Sequence, residues 1–135
     1  MDKIVSCEVI TPEGLVYSGE VNMVVVPGEV GEIGVLPLHA PLIATLDVGE
    51  MRVKIDEKWD YIAVYRGYME VREDKVIVLA DAAEIASRVD VEKVKLAKEK
   101  AEKALEEAAA EEDFFEAQKE LTWALTRLRV AGKAK

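Results

Sequence analysis

The sequence has few of the side chains that most often form catalytic or metal sites. Its 135 residues include one cysteine, Cys7, and one histidine, His39. One cysteine forms no internal disulfide and fits a reducing compartment, and a single Cys/His pair gives no zinc-binding spacing. We expect Cys7 to be a buried small hydrophobe and His39, which lies in a proline-flanked loop, to make a structural hydrogen bond. No G-x-S-x-G elbow occurs, so we expect a non-enzyme with no metal site and no required cofactor.

Basic charge and long apolar runs are also scarce. Lys and Arg total 18 against 27 acidic residues, a net charge of −9. This balance argues against nucleic-acid binding, which needs a basic surface. No apolar run approaches the roughly 18–20 residues of a membrane-spanning helix, and Met1, Asp2 and Lys3 do not begin a secretory signal. We expect a soluble, cytoplasmic protein that meets a membrane only through a partner.

Proline and glycine are almost absent from the C-terminal third. All four prolines and seven of the eight glycines occur by Gly67, and Gly132 is the only one of either kind after residue 86. Charge divides at the same place, because residues 1–86 hold 7 basic and 16 acidic side chains, whereas residues 87–135 hold 11 of each. Since the absence of proline and glycine permits long helices, we predict two domains, 1–86 and 87–135.

The first domain has β-branched segments separated by turn signals about every eight to twelve residues, which is typical of a sandwich or barrel. Residues 3–11 and 51–55 alternate between apolar and polar side chains. We predict one strand over 21–26 that Pro27-Gly28 ends, and a bulge or kink at Arg66-Gly67. The predicted fold is a flattened β sandwich or barrel followed by an antiparallel two-helix hairpin.

The second domain has apolar residues in steps of three and four, the spacing of a helical seam. Asp90 is the expected N-cap of the first helix, and Asp113, with Glu116 three residues on, that of the second. Burying a methyl-sized group stabilises a fold by only about 0.8 kcal/mol, so a seam made mostly of alanine holds the hairpin weakly. It is either a static tail or an element that opens. The two seams are Val94, Ala97, Ala101, Ala104 and Ala108, and Phe114, Ala117, Leu121, Ala124, Leu128 and Ala131.

A G-x-x-G-x-x-G segment at Gly28, Gly31 and Gly34 resembles phosphate-binding loops only superficially. It lacks the lysine of a P-loop, and Glu29 and Glu32 place negative charge where a phosphate would lie. We instead predict a surface loop with positive-φ turns that offers acidic side chains to a protein partner.

Two longer motifs resemble the epsilon subunit of bacterial F-type ATP synthase over essentially the whole chain. They are T-P-E-G-L-V-Y at 11–17 and G-E-I-G-V-L-P-L-H-A-P-L at 31–42, followed in the family's order by V-L-A-D-A-A-E at 78–84 and L-R-V-A at 128–131. The resemblance implies a non-catalytic rotor subunit at the cytoplasmic face of the cell membrane. Such a subunit couples the gamma subunit to the c-subunit ring during proton-driven ATP synthesis.

The resemblance also implies two protein contacts. The acidic loop faces the polar loops of the c ring, and the hairpin either folds on the sandwich or extends along gamma into the alpha/beta catalytic hexamer, where it inhibits ATP hydrolysis. The cations near the end of the chain are implied to contact the beta subunit; the alternative is that they only compensate the negative C-terminal end of the helix. The implied c-ring residues are Glu29, Val30 and Glu32, and the implied beta-subunit residues are Arg127, Arg129 and Lys133.

The resemblance further implies ATP as a regulatory ligand, since bacterial members often bind it through an [IL]-D-x-x-R-A motif. Residues 89–94 read V-D-V-E-K-V, and Lys93 replaces the arginine with a point charge that suits phosphate less well. Trp123 stands where a second arginine can occur. The implied ATP-binding residues are Glu84, Asp90, Lys93 and Arg127. The alternative function is a freestanding nucleotide-sensing adaptor with a mobile helical lever.

Overall fold

The computed structural model describes residues 3–134, which form eight strands followed by two helices. The predicted sandwich and hairpin are therefore confirmed, whereas Met1, Asp2 and Lys135 lie outside the described residues. Within 3–134, neither helix has the length and apolar character needed to cross a membrane. The elements are β1 (Val5–Thr11), β2 (Gly14–Val21), β3 (Met23–Gly28), β4 (Gly31–Val35), β5 (Leu42–Leu46), β6 (Gly49–Ile55), β7 (Lys58–Arg72), β8 (Lys75–Ile85), a 3₁₀ turn (Ala86–Arg88), α1 (Val91–Glu107) and α2 (Glu111–Ala131).

The strands form one hydrogen-bonded ladder that encloses a single core. Their order is β2-β1-β8-β7-β5-β3-β4, and β6 pairs with both β3 and β7. β1 runs parallel to β8, with Cys7 opposite Val76, so the first strand of the chain lies beside the last. Cys7 is fully buried as predicted, and burial raises the pKa of its thiol to about 12.

The predicted strand over residues 21–26 is confirmed for residues 23–26, but it begins two residues late because Asn22 makes a corner. Val21 ends β2 and Met23 begins β3. The side-chain amide of Asn22 donates to the Lys3 carbonyl (3.2 Å), and its Oδ1 accepts from the Asp56 N–H (2.6 Å). The strand ends at Pro27-Gly28 as predicted, since these are the last two residues of β3, and the Pro27 carbonyl accepts a hydrogen bond from the Asp47 N–H (2.9 Å).

The kink predicted at Arg66-Gly67 is confirmed inside the long strand β7. Arg66 has φ 51° and Gly67 has φ 145°. The kink divides β7 into a first half that pairs with β6 and a second half that pairs with β5. A Cβ on Gly67 would overlap the Leu79 carbonyl oxygen and lie 2.8 Å from Ala80 Cα, so this position has no room for a side chain.

The two helices begin differently. Asp90 caps α1 as predicted, with its Oδ1 accepting from the Lys93 N–H (3.2 Å). The prediction for Asp113 is wrong, because α2 begins at Glu111 after Ala110, which makes no side-chain cap. The first turn instead contains Glu111, Glu112 and Asp113. Their three carboxylates interact favourably with the positive end of the helix dipole, which stabilises an earlier start of the helix.

The hairpin packs through small side chains. Two seam positions depart from the prediction, since Ala104 and Phe114 are exposed. α2 has a further buried face toward the sandwich, which contains Val130. The structure is therefore the folded form, in which α2 lies between α1 and the sandwich. The fully buried seam residues are Val94, Ala101, Ala117 and Ala124.

Candidate interaction surfaces

An apolar row crosses four adjacent strands on the outer face of the sandwich. Leu15 pairs with Ile10, Ile10 with Leu79, and Leu79 with Tyr68. Leu15, Leu79 and Tyr68 are 60%, 52% and 59% exposed. Partners directly opposite on neighbouring strands lie about 5 Å apart, so the four side chains form a continuous stripe about 15 Å long. We call Leu15, Ile10, Leu79 and Tyr68 the apolar row.

Sequence reasoning missed the apolar row. Single exposed apolar residues are normal on a protein surface, whereas a contiguous exposed patch marks an interaction site. Each member stands alone at an outward position of its strand, and only the strand register aligns the four. Ile43 on β5, which is exposed, extends the patch, because its neighbour Thr45 is the partner of Tyr68.

The predicted acidic loop is the two-residue connection between β3 and β4. Val30 at its tip is fully exposed, and the Glu29 N–H donates to the Thr45 carbonyl (3.0 Å). The positive φ predicted for this loop occurs at Gly31, at 143°, and at neither Gly28 nor Gly34. Gly28 is required for another reason, because a Cβ there would lie 2.6 Å from the Gly31 carbonyl oxygen.

Glu32 lies in β4 beside this loop and is not free, because it pairs with Arg52 of β6. One Arg52 nitrogen lies 2.8 Å from a Glu32 oxygen, and this hydrogen bond holds the pKa of Glu32 below its usual range. The same nitrogen lies 3.7 Å from Glu50. The Arg52 guanidinium also lies over the ring of Trp59, 5.4 Å from its centre.

His39 has the structural role that the sequence predicts. The ring Nδ1 lies 2.6 Å from the Ala40 carbonyl oxygen, and the backbone N–H of His39 donates to the Leu36 carbonyl (3.2 Å). The neighbouring Leu38 N–H donates to Asp74 (2.6 Å), which fastens this loop to the β7–β8 turn.

A small interdomain core fixes the hairpin to the sandwich. Val130 of α2 is fully buried and packs in a cluster with Ala63 and Ala86, bordered by Tyr61 and Trp123. The Trp123 ring also meets the ring of Tyr65 edge-on, with centroids 5.5 Å apart.

Two ion pairs join the end of the hairpin to the sandwich. Arg127 lies 3.2 Å from Glu84 of β8, and Lys133 pairs with Glu50 of β6. We call these the docking pairs. Arg127 also lies 5.1 Å from the Trp123 ring centre, whereas Arg129 is exposed and makes no ion pair within residues 3–134. Two of the three cations assigned to the beta subunit are therefore occupied in the folded form.

The four residues assigned to ATP fall into two pairs. Glu84 and Arg127 are in contact, while Asp90 is engaged with the backbone of Lys93. Within the described chain, no hydrogen bond or ion pair joins one pair to the other. The Arg127 Nε is buried and lacks a hydrogen-bond partner, so this guanidinium retains a donor for a further acceptor. In the same range, no three His, Cys, Asp or Glu side chains converge as metal ligands.

Comparisons with known proteins cover both domains. The beta-sandwich domain of the ATP synthase delta/epsilon chain matches residues 4–86, and the long alpha-helix domain of that chain matches 88–132. The ATP synthase epsilon chain of Halalkalibacterium halodurans is 49% identical over 93% of this chain and 95% of its own length. That of Desulforamulus reducens is 43% identical over 97% of this chain and 99% of its own.

Solved structures share the fold at low sequence identity. A chain in the Euglena gracilis mitochondrial ATP synthase (OSCP/F1/c-ring) has a TM-score of 0.77 at 19% identity, covering 91% of this chain and 78% of that one. A chain in the Tetrahymena thermophila mitochondrial ATP synthase central stalk and c-ring has a TM-score of 0.64 at 8% identity, covering 94% and 96%. From the two family matches and the relatives above 40% identity, the chain belongs to the ATP synthase delta/epsilon family, as an epsilon subunit of an F-type ATP synthase and not a catalytic one.

Proposed function

We propose that this chain is a non-enzymatic central-stalk subunit that couples the gamma subunit to the c-subunit ring in proton-driven ATP synthesis, and that its hairpin restrains ATP hydrolysis. It acts at the cytoplasmic face of the cell membrane as a peripheral member of the complex. The observation that carries the proposal is the apolar row, a continuous exposed stripe on a domain whose core is otherwise well enclosed. An exposed stripe of this kind is stabilised when a partner covers it.

The gamma subunit is the occupant proposed for the apolar row. Leu79 and Tyr68 are direct ladder partners at the β7 end of the row, and both are more than half exposed. An apolar groove or helix face of gamma laid across the row would remove these side chains from water at about 25 cal/mol per Å². The docking pairs involve side chains outside the row, although Leu15 and Glu84 line the same surface cavity.

The loop between β3 and β4 is the proposed contact with the polar loops of the c ring. Val30 projects fully into solvent and Glu29 adds a negative charge beside it. Glu32 stands at the flank of the loop and is held by Arg52, so we assign the first contact to Glu29 and Val30. A cationic group on the ring would then compete with Arg52 for Glu32.

The hairpin is proposed to inhibit hydrolysis only after it leaves the sandwich. In the folded form Arg127 and Lys133 are held by Glu84 and Glu50, whereas Arg129 remains exposed. Release of α2 frees all three cations for an acidic segment of the beta subunit. Arg127 and Lys133 therefore act in both states, and Arg129 chiefly in the released one.

ATP is proposed as a ligand that favours the folded form, through Glu84, Asp90, Lys93 and Arg127. The support is the buried donor of Arg127, whose Nε–H has no acceptor in the folded hairpin. A phosphate oxygen beside it would supply that acceptor. Because Asp90 already caps α1, its part is to fix the start of the helix that carries Lys93.

The hydrolysis proposal is tested with Arg129→Ala in the assembled enzyme at low ATP. We expect faster ATP hydrolysis with unchanged assembly, because this side chain has no ion pair to lose in the folded form. Lys119→Ala is the matched control, since Lys119 is a cation of the same helix whose ion pair, with Glu116 (3.3 Å), lies within that helix. Hydrolysis that is unchanged in Arg129→Ala and in a chain lacking residues 88–135 would leave the hairpin a passive tail.

The gamma assignment is tested with Leu79→Asp, an exposed position where the substitution leaves the core unaltered. We expect weaker association with gamma and a normal far-UV spectrum. Ile55→Asp is the control, because Ile55 is exposed at the end of β6, outside the row. Equal association of both variants with gamma would assign the row to another partner.

A further inference from the structure

A chain of four charged side chains connects the β3–β4 loop to the end of the hairpin. Glu32 pairs with Arg52 at 2.8 Å, Arg52 lies 3.7 Å from Glu50, and Glu50 pairs with Lys133. Lys133 follows α2, and Glu32 lies in β4, two residues beyond the exposed Val30. The contacts therefore reach from the proposed ring-facing loop to one of the two docking pairs.

Glu50 is the member that both cations share. Its Oε1 binds Lys133, while its Oε2 faces Arg52. Each cation also rests on an aromatic ring of β7, Arg52 over Trp59 and Lys133 over Tyr61 at 5.1 Å. These rings hold the cations on either side of a carboxylate that is itself only 12% exposed, so a change at one cation reaches the other through Glu50.

Arg52 is divided between two carboxylates. It is close to Glu32 and further from Glu50, so Glu50 remains mainly available to Lys133. Arg52 is the main cause of the low pKa of Glu32, and the positive charge of Lys133 acts on that pKa in the same direction as a minor cause. If Glu32 were neutralised, Arg52 would lose its nearer partner and turn toward Glu50.

We propose that Arg52 couples the occupancy of Glu32 to the docking of the hairpin: a cationic side chain that pairs with Glu32 frees Arg52 for Glu50, which loosens Lys133 and favours release of the hairpin. The proposal rests on the proposed function only for the partner that brings the cation. The coupling itself belongs to the isolated chain and is measured there, so its failure leaves the stalk assignment untouched.

The coupling predicts that neutralising Glu32 and neutralising Arg52, the two partners of one ion pair, have opposite effects on docking of the hairpin. Neutralising Glu32 weakens the hold on Lys133, because it releases Arg52 and removes a negative charge. Neutralising Arg52 strengthens the hold, because it leaves Glu50 to Lys133 alone. A bond that served only to stabilise the sandwich would give the same sign for both changes.

The experiment measures thiol labelling of the isolated full-length chain carrying Val130→Cys. Position 130 is buried only while the hairpin is docked, and the native Cys7 in the sandwich core reports global unfolding in the same sample. In this background we expect Glu32→Gln to raise the labelling rate at position 130 about two- to five-fold, and Arg52→Met to lower it by a similar factor, the range for partly exposed ion pairs. Glu32→Lys, which mimics a bound cation, should raise it at least as much.

Two controls decide the pathway. Glu29→Gln removes an acid from the same loop that forms no ion pair with Arg52, and it should leave the rate unchanged. In a Glu50→Gln background the effects of Glu32→Gln and Arg52→Met should both vanish. The same sign for Glu32→Gln and Arg52→Met, an equal effect of Glu29→Gln, or effects that persist without Glu50 would each overturn the coupling.

Discussion

Truncation of Val130 is expected to open the hairpin without unfolding either domain. Its side chain is fully buried in the small interdomain core with Ala63 and Ala86. Val130→Ala removes two carbons, which costs about 1.6 kcal/mol at about 0.8 per buried carbon group, before any cavity term. Since about 1.4 kcal/mol is a factor of ten, the ratio of docked to released hairpin should fall about 15-fold.

The assay uses the fluorescence of Trp123, which packs on Tyr65 only while the hairpin is docked. The chain has two tryptophans, so Trp59→Phe leaves Trp123 as the sole reporter. We expect a red-shifted emission maximum in Val130→Ala and none in Leu125→Ala, which removes a larger but exposed side chain of α2. If the two variants shift Trp123 emission equally, the interdomain core does not hold the hairpin.

In the assembled enzyme the proposed function gives Val130→Ala and Arg129→Ala opposite effects on ATP hydrolysis. Val130→Ala favours the released, inhibitory form and should slow hydrolysis, whereas Arg129→Ala weakens the contact made after release and should speed it. Hydrolysis rates that move in the same direction would contradict this two-state reasoning.

Two predictions concern the sandwich. Gly67→Ala and Gly31→Ala both place alanine at a φ near 145°, which costs about 1–3 kcal/mol of backbone strain, but of these two positions only Gly67 lacks room for a Cβ. Denaturant unfolding should therefore show that Gly67→Ala lowers the free energy of unfolding by at least about 1–3 kcal/mol more than Gly31→Ala does. Equal losses in the two variants would refute the overlap with Leu79. Burial raises the pKa of Cys7 in the folded protein to about 12, whereas its pKa in the unfolded chain is about 9. Above about pH 9 the thiol therefore ionises in the unfolded chain but not in the folded one, and the free energy of unfolding falls as the pH rises. Relative to Cys7→Val, the native chain should therefore lose free energy of unfolding between about pH 9 and 11, and parallel pH profiles of the two proteins would show that the thiol is accessible.

Local signals in the sequence predict much of the fold. The absence of proline and glycine from residues 87–131 predicts the hairpin, Asp90 marks the start of α1, and Arg66-Gly67 marks the kink in β7. Asp113 misleads because capping rules treat one residue at a time, whereas three successive carboxylates stabilise a start three residues earlier. The corner at Asn22 depends on Lys3 and Asp56, which are distant in sequence, so no local pattern shows it.

The interaction surfaces were less predictable than the fold. The resemblance supplies Arg127 and Lys133 as contacts for another subunit, but their partners Glu84 and Glu50 are 43 and 83 residues away. The apolar row depends on strand register across β2, β1, β8 and β7, including the parallel pair β1–β8. Such pairings are set by tertiary packing, which a single sequence does not display.

The connection between α1 and α2 determines how far the hairpin can reach. It consists of Ala108, Ala109 and Ala110, the residue type with the highest helix propensity, and no glycine ends α1. A change in the backbone angles of these three residues would therefore join both helices into one, from 91 to 131, about 60 Å long at 1.5 Å per residue. The folded hairpin measures about 32 Å, the length of α2. In that case the same residues would provide two rods of nearly twofold different length, with no unstructured linker between the two halves.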